Sequence, residues 1–418
     1  MTDGLGGNVL VVGLARSGRA ASEVLRARGV RVVAFDRNEA VDVGRLRELG
    51  VEVHLGREEE KLLQGIELVV KSPGVPGETP LVAGARRRGI PVWSEVELGA
   101  QLLPNPILGV TGTNGKTTTS ELLGEVFRAA DRPVEVAGNV GRPLTSLVGA
   151  VDPDSWIVCE LSSFQLEDVQ TLNPAIGVLL NLEPDHLDRH GSFSAYAGAK
   201  LRMFERQSSD DTAVVPRGFG AVPGAGRRVE FDATDELPAE PSIPGPHNRE
   251  NAAAATAAAR AAGIADGAIA EGLRAFPGVP HRIELVREFR GVRYVNDSKA
   301  TNVAATLRAL ASFPESRLHV ILGGRGKAEP YGPLVAAFGS DDRGYLIGEA
   351  AREIGAALGS AGVRCSDAGD LEAALTEAAA NARVGDVVLL SPACASFDQF
   401  EDFEARGDEF RRLVEALS

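Results

Sequence analysis

The run Gly-Val-Thr-Gly-Thr-Asn-Gly-Lys-Thr-Thr-Thr at 109–119 sets a glycine-rich turn and a single lysine between an apolar strand and a helix. Ile107, Leu108 and Val110 form the strand end, and Leu122, Leu123, Val126 and Phe127 recur at the spacing of one helix face. Glycines let backbone N–H groups converge on phosphate oxygens, and the helix N-terminus adds a favourable dipole. Gly112, Thr113, Asn114, Gly115, Lys116, Thr117 and Thr118 then read as a triphosphate cradle, with Lys116 against the outer phosphates and the Thr117 hydroxyl available to Mg2+. The strict G-x-x-x-x-G-K-[ST] spacing is not met, because Val110 stands where its first glycine belongs. The loop is a variant, and it does not by itself fix a reaction.

Short apolar runs alternate with helical patterns along the whole chain. Strands are predicted at 9–12, 30–35, 68–70 and 91–93, then at 107–110, 156–160 and 176–181, then at 292–296, 319–323, 344–347 and 387–390. This is the βαβ pattern of parallel sheets. At 418 residues the chain exceeds one hydrophobic core. The reading is an α/β protein of three domains: an N-terminal Rossmann-like domain at 1–93, a central P-loop-type ATPase domain at 94–279 and a C-terminal Rossmann-like domain at 280–418. Between 207 and 245 Gly, Pro, Ala and acidic residues dominate, and only small edge elements are expected there. The alanine-rich run at 251–262 is a strong helix former.

A net charge of -14 with no block of Lys or Arg argues against nucleic acid or an anionic membrane as partner. Cys159, Cys365 and Cys394 are too scattered for a disulfide framework or a zinc site. Neither a signal peptide nor an apolar run of spanning length is visible, which predicts a cytoplasmic chain without membrane insertion.

Candidate chemistry follows the strands. Glu160 ends one of them, where a carboxylate reaches a metal beside the cradle; capping or a surface ion pair is the plain alternative, and Gln165 is placed to assist through its amide oxygen. The stretch at 181–190 sets His186 among carboxylates, suited to metal or phosphate chemistry and equally to capping. Lys200, read alone, is a solvated helix lysine. Asn248 and Asn251 precede the alanine-rich helix as caps or as contacts to a base or ribose. Arg282 suits a phosphate or an ion pair. Asn-Asp-Ser-Lys-Ala-Thr-Asn at 296–302, Leu-Gly-Gly-Arg-Gly-Lys at 322–327 and Ser-Pro-Ala-Cys-Ala-Ser-Phe-Asp-Gln-Phe at 391–400 are strand-terminal loops that together describe a pocket for an anionic small molecule. The first turn, Gly-Leu-Ala-Arg-Ser-Gly at 13–18, approximates a dinucleotide fingerprint with Ala15 at its middle glycine.

Taken together these motifs resemble the Mur ligase family over essentially the whole chain. The resemblance rests on residues 111–118, Glu-Leu-Ser-Ser-Phe-Gln at 160–165, Asp-His-Leu-Asp at 185–188, His-Asn-Arg-Glu-Asn at 247–251 and His-Arg at 281–282. The loops at 296–302 and 391–400 resemble the branch that adds D-glutamate. What this implies is ATP-dependent amide formation in peptidoglycan precursor synthesis, carried out by a monomer. The carboxylate of UDP-N-acetylmuramoyl-L-alanine attacks the γ-phosphate, and the amine of D-glutamate displaces phosphate from the acyl phosphate.

The resemblance further implies that Lys116, Glu160, His186 and Lys200 form the catalytic set. Thr117 and Glu160 would hold Mg2+ at the ATP phosphates, and His186 with a carbamylated Lys200 would hold a second. Leu14, Ala15, Arg16, Ser17, Asp36, Arg37, Ser72, Pro73, Gly74, Asn139 and His186 would contact the UDP substrate. Asn248, Asn251, Arg282, Asp297 and Lys299 would complete the ATP side, while Thr301, Lys327, Ser396 and Phe403 would meet D-glutamate. Two residues depart from the pattern. Ala15 weakens an NAD reading and suits a UDP site, and Arg325 stands where an acidic residue is expected, which bears on the geometry around Lys327. A sister ligase for another amino acid and a nucleotide-binding regulatory protein without ligase activity stand as alternatives.

Overall fold

The computed structural model describes residues 7–326 and 329–417, so Lys327 lies outside the described residues. The chain forms two compact units, Met1–Pro241 with His247–Phe276, and Ser242–Pro246 with Pro277–Ser418.

The first unit carries two parallel sheets. One consists of β1 (Asn8–Val12), β2 (Arg31–Asp36), β3 (Glu52–Leu55), β4 (Leu68–Lys71) and β5 (Val92–Ser94), in the order β3-β2-β1-β4-β5. Strand order reverses between β1 and β4, which leaves a crevice at their carboxyl ends, the usual ligand position in an open α/β sheet. The other sheet holds β6 (Ile107–Thr111), β7 (Val134–Gly138), β8 (Trp156–Glu160), β9 (Ile176–Leu179), β10 (Thr212–Pro216) and β11 (Arg227–Phe231), in the order β11-β10-β9-β6-β8-β7. Its middle strands are buried on both faces and read as continuous apolar runs for that reason. One expectation needs correcting here. The stretch at 207–245 was to give only edge elements, yet β10 lies inside the sheet between β9 and β11, and four of its five residues are buried.

The two sheets of this unit are tied by charges. Ser94 caps the helix Glu95–Leu102, its side chain accepting from the Glu97 N–H at 3.2 Å. The buried Glu97 carboxylate accepts from the N–H groups of Gln170, Thr171 and Leu172 at 3.1, 2.8 and 3.0 Å. Lys71, with no exposed surface, ends β4 with its Nζ 2.8 Å from Asp168 Oδ2, and Arg86 meets the other oxygen of Asp168 at 2.5 Å.

The second unit holds β12 (Glu284–Phe289), β13 (Val292–Asn296), β14 (Leu318–Gly323), β15 (Arg343–Ile347), β16 (Arg364–Gly369) and β17 (Val387–Leu390), in the order β12-β13-β17-β14-β15-β16. Only β12 is antiparallel, returning as a hairpin with β13. At the amino ends of these strands the fully buried His319 bridges the Tyr345 hydroxyl (2.8 Å) and the Asp386 carboxylate (3.1 Å). Burial holds its pKa below the ordinary histidine value, although Asp386 opposes this. Its contribution to stability is therefore complete above about pH 6.5, where the unfolded histidine is neutral as well, and is lost as the pH falls toward the depressed folded value. His190 and His281 are displaced in the same direction, again by burial. Urea midpoints measured from pH 7.5 to 5.5 will fall, and His319→Gln will flatten the dependence. Equal slopes in wild type and variant would remove His319 from this account.

Candidate active site

In the second sheet three adjacent strands, β8, β6 and β9, present their carboxyl ends side by side. The glycine-rich turn leaves β6, Glu160 ends β8, and the loop with Asn181 and His186 follows β9. Gly115 takes the left-handed conformation (φ 83°) at the start of the helix Lys116–Ala129, as a tight phosphate turn requires. A Cβ there would lie 2.2 Å from Asn251 Oδ1, so the asparagine is packed onto the turn. Asn248 and Asn251 do not precede their helix. Both lie within the first turns of the helix Pro246–Ala261 and are buried.

Lys116 Nζ donates to the carbonyls of Gly112 and Thr113, each at 2.9 Å, and Lys200 Nζ donates to the same Gly112 carbonyl at 2.8 Å. Two amines thus converge on one oxygen. Lys200 is 2% exposed, which overturns the solvated-lysine reading. Burial first, and then the Lys116 charge, bring its pKa down to about 7, against partial support from Asp185 and Glu160. Its ammonium sits 4.7 Å from the Tyr196 ring centroid, and the Tyr196 hydroxyl donates to Thr113 Oγ1 at 3.0 Å.

Glu160 is buried, and one of its oxygens accepts from Asn139 Nδ2 at 2.9 Å. The Gln165 amide oxygen is already used by the N–H and hydroxyl of Ser162, both at 2.9 Å, in a capping box, so it is not available as a ligand. His186 has φ 51° and a half-exposed side chain, with Asp185 Oδ2 3.6 Å away. Among the described residues no group of three or more His, Cys, Asp or Glu side chains forms a metal cluster.

In the first sheet the turn after β1 and the turn after β4 are bound together. Ser72 Oγ donates to Gly13 O at 2.7 Å, and a Cβ on Gly18 would lie 1.7 Å from that same oxygen. Leu14 N–H donates to Asp36 Oδ2 at 2.5 Å and Asn38 N–H to Oδ1 at 2.8 Å, so the Asp36 carboxylate shapes its own loop. The exposed Arg37 pairs with Glu58 at 3.2 Å. Ala15 occupies the N-cap position of the helix Arg16–Ala27 without a side-chain cap bond, Arg16 and Ser17 lie in the first turn, and Pro73 and Gly74 form the turn beyond Ser72.

The second unit repeats the arrangement at β13, β17 and β14. Asp297, buried after β13, accepts from Ser391 Oγ at 2.8 Å and from Ile283 N–H at 3.2 Å, and burial pushes its pKa up to about 7. The Lys299 ammonium stands 5.1 Å from the ring of Phe403, the first residue of the helix Phe403–Glu415. Ser396 is buried, and Thr301 N–H donates to Lys299 O at 2.8 Å. Arg282 N–H donates to Val279 O at 3.1 Å. Arg325 makes a paired contact with Glu349, both bonds at 3.2 Å, so its charge is met on the surface.

Sequence reasoning missed Tyr196, and it placed Asn181 and Glu183 in the functional stretch at 181–190 without a role of their own; all three hold the cradle from outside it. The Asn181 side chain accepts from Asn114 N–H at 2.8 Å, and Glu183 accepts from Asn114 Nδ2 at 2.8 Å. The signal for Tyr196 was its place one helical turn before Lys200, on the same face.

Family models match three stretches of the chain: the MurD-like N-terminal domain of Mur ligases over residues 7–94, the Mur ligase middle domain over 110–218, and the Mur ligase glutamate ligase domain over 281–394. A protein of Anaeromyxobacter dehalogenans named UDP-N-acetylmuramoylalanine–D-glutamate ligase is 45% identical, with 98% of this chain and 97% of the relative covered. One of the same name from Myxococcus xanthus is 41% identical with 99% of each covered. Among solved structures the fold is shared with UDP-N-acetylmuramate-alanine ligase from Thermotoga maritima, at TM-score 0.61 and 19% identity over 98% of this chain and 99% of that one. Three matched domains in order, and near-complete alignment with such relatives, place this chain in the Mur ligase family.

Proposed function

We propose that the chain joins D-glutamate to UDP-N-acetylmuramoyl-L-alanine at the cost of ATP, through an acyl phosphate. The observation that carries this reading is the convergence of Lys116 and the buried Lys200 on the Gly112 carbonyl, on a sheet whose neighbouring strand ends in Glu160. Phosphoryl transfer asks little covalent chemistry of a protein and much placement of charge. Lys116 offsets charge on the transferring phosphoryl group. The substrate carboxylate attacks the γ-phosphorus and ADP leaves; the amine of D-glutamate then attacks the acyl carbon, loses a proton, and phosphate leaves.

In this reading Gly112 to Thr118, Asn248, Asn251, Arg282, Asp297 and Lys299 bind ATP. The turns at 14–17 and 72–74, with Asp36, Arg37, Asn139 and His186, bind the UDP substrate. Thr301, Lys327, Ser396 and Phe403 bind D-glutamate. The segments 1–93, 94–279 and 280–418 divide these tasks. The reaction belongs in the cytoplasm and requires one copy of the chain; among the described residues no helix is long and apolar enough to cross a membrane.

Mg2+ fits the donors present. It retains most of its waters and takes one or two protein oxygens beside phosphate, so Glu160 and the Thr117 hydroxyl suffice without an acidic cluster. Bound there, it would neutralise charge on the β- and γ-phosphates. A second ion near His186 needs Lys200 as an oxygen donor, and an amine whose pKa is about 7 is substantially neutral at pH 7.5, the form that takes up CO2 as a carbamate. Phosphate release in CO2-depleted buffer will be slower by about tenfold and recover with bicarbonate. A rate indifferent to bicarbonate would leave Lys200 an amine.

The test of the function is phosphate release with ATP, Mg2+ and UDP-N-acetylmuramoyl-L-alanine, comparing D-glutamate with L-glutamate, D-aspartate, L-lysine and glycine. Turnover and a coupled product with D-glutamate alone is the expected result. Activity with a different amino acid would make the chain a sister ligase.

A further inference from the structure

Arg406 is 1% exposed, yet it makes no ion pair among the described residues. From the first turn of the helix Phe403–Glu415 its Nε donates to Ser298 Oγ at 2.9 Å, and its Nη2 to Ser298 O at 2.8 Å and Cys394 O at 3.2 Å. Nη1 is buried without a hydrogen-bond partner. A Cβ placed on Gly324 would come within 3.2 Å of that nitrogen, so the guanidinium lies beneath the Gly323–Gly324 turn.

All three strand-terminal loops of this unit therefore rest on one side chain. Ser298 belongs to the loop after β13, Cys394 to the loop after β17, and Gly324 to the loop after β14. Further bonds close the set: Ser298 Oγ donates to Phe403 O at 2.8 Å, and Arg325 N–H donates to Ala395 O at 2.8 Å. Burial lowers its pKa to about 10, against partial support from Cys394, Asp398 and Asp297. A guanidinium kept out of water with three carbonyl and hydroxyl partners and no carboxylate is costly. The cost is offset when an anion binds close by.

Resting on the proposed function, we infer that Arg406 is a positioning and specificity residue for the amino-acid pocket. It locks the loops that carry Thr301 and Ser396 against the helix that starts at Phe403, and its only partly neutralised charge favours an amino acid with a second carboxylate over its neutral amide. It does not touch the ligand, because its free nitrogen is enclosed.

The experiment measures KM for D-glutamate, ATP and UDP-N-acetylmuramoyl-L-alanine, and the inhibition constant of D-glutamine against D-glutamate, in wild type, Arg406→Met and Arg406→Lys. Arg406→Met should raise the D-glutamate KM by about tenfold or more, as loss of one poorly screened charge at short range implies. The KM values for the other two substrates should stay within about twofold, the D-glutamine constant should change less than that for D-glutamate, and Arg406→Lys should fall between. Equal rises for all substrates, or equal weakening of D-glutamate and D-glutamine, would overturn the inference. If Arg406→Met does not fold, Arg406→Lys decides by the same comparison. A wild type with no D-glutamate-dependent turnover would instead refute the function on which it rests.

Discussion

Alanine at Lys116 will reduce kcat/KM for ATP-dependent ligation by about a thousandfold, a loss on the order of 4 kcal/mol of transition-state stabilisation. The side chain donates to the carbonyls of Gly112 and Thr113, and the thermal midpoint of the variant, measured alongside its kinetics, separates a loss of catalysis from a loss of fold. Two effects add. The cation proposed to meet the outer phosphates is gone, and so is the second-largest influence depressing the Lys200 pKa. Lys200 then holds its proton to higher pH, and the pH at which bicarbonate stimulates should move upward. Arginine will not restore activity, since a planar fork cannot occupy the place of a compact ammonium folded over two carbonyls. Phosphate release in the variant within tenfold of wild type would show that another group carries the charge.

Asp168→Ala is expected to cost about 3–5 kcal/mol of stability, because it strands a buried ammonium. Lys71 has no exposed surface, and its other acid, Glu167, is at 3.6 Å and also faces His190 at 3.2 Å. The Lys71 to Asp168 contact of 2.8 Å is off-angle for a hydrogen bond, so the pair holds by charge more than by direction. The thermal midpoint should fall by roughly ten degrees. The double variant Lys71→Met, Asp168→Leu removes both charges and should recover most of the loss, since burying a matched apolar pair avoids desolvation. An Asp168→Ala protein within about 1 kcal/mol of wild type would mean that water or Glu167 satisfies Lys71.

Apart from β10, the interior strands of the sheets were legible in the sequence, and of the edges β5 was read as a strand. β3, β7, β12 and β16 went unseen, and each is an edge strand. Glu-Val-His-Leu at β3 and Arg-Cys-Ser-Asp-Ala-Gly at β16 keep a wet face and carry no apolar run. β10 was misplaced for the opposite reason: its apolar core is short and set among glycines and prolines that read as loop. For the candidate site, the backbone turns were visible because glycine and lysine spacing encodes them. The burial of Lys200 was not, because nothing in Ala-Gly-Ala-Lys-Leu-Arg separates a helix face turned to water from one turned onto the Gly112 carbonyl. Arg406 was hidden likewise, as an arginine in a charged helix.

The helix Glu95–Leu102 and the loop at 167–172 have a consequence for recombination. Each sheet of the first unit has the outline of a portable module, and a chimera that trades residues 1–93 for the same stretch of a distant relative is the natural exchange. Such a chimera would cut inside β5, just before the helix cap Ser94, and would bring unmatched side chains against Asp168 in place of Lys71 and Arg86. Inheritance of the first sheet is thus bound to the loop that carries Glu167 and Asp168 in the second. A transplant that carries 94–102 and 167–172 along with 1–93 should fold, and the shorter one should not.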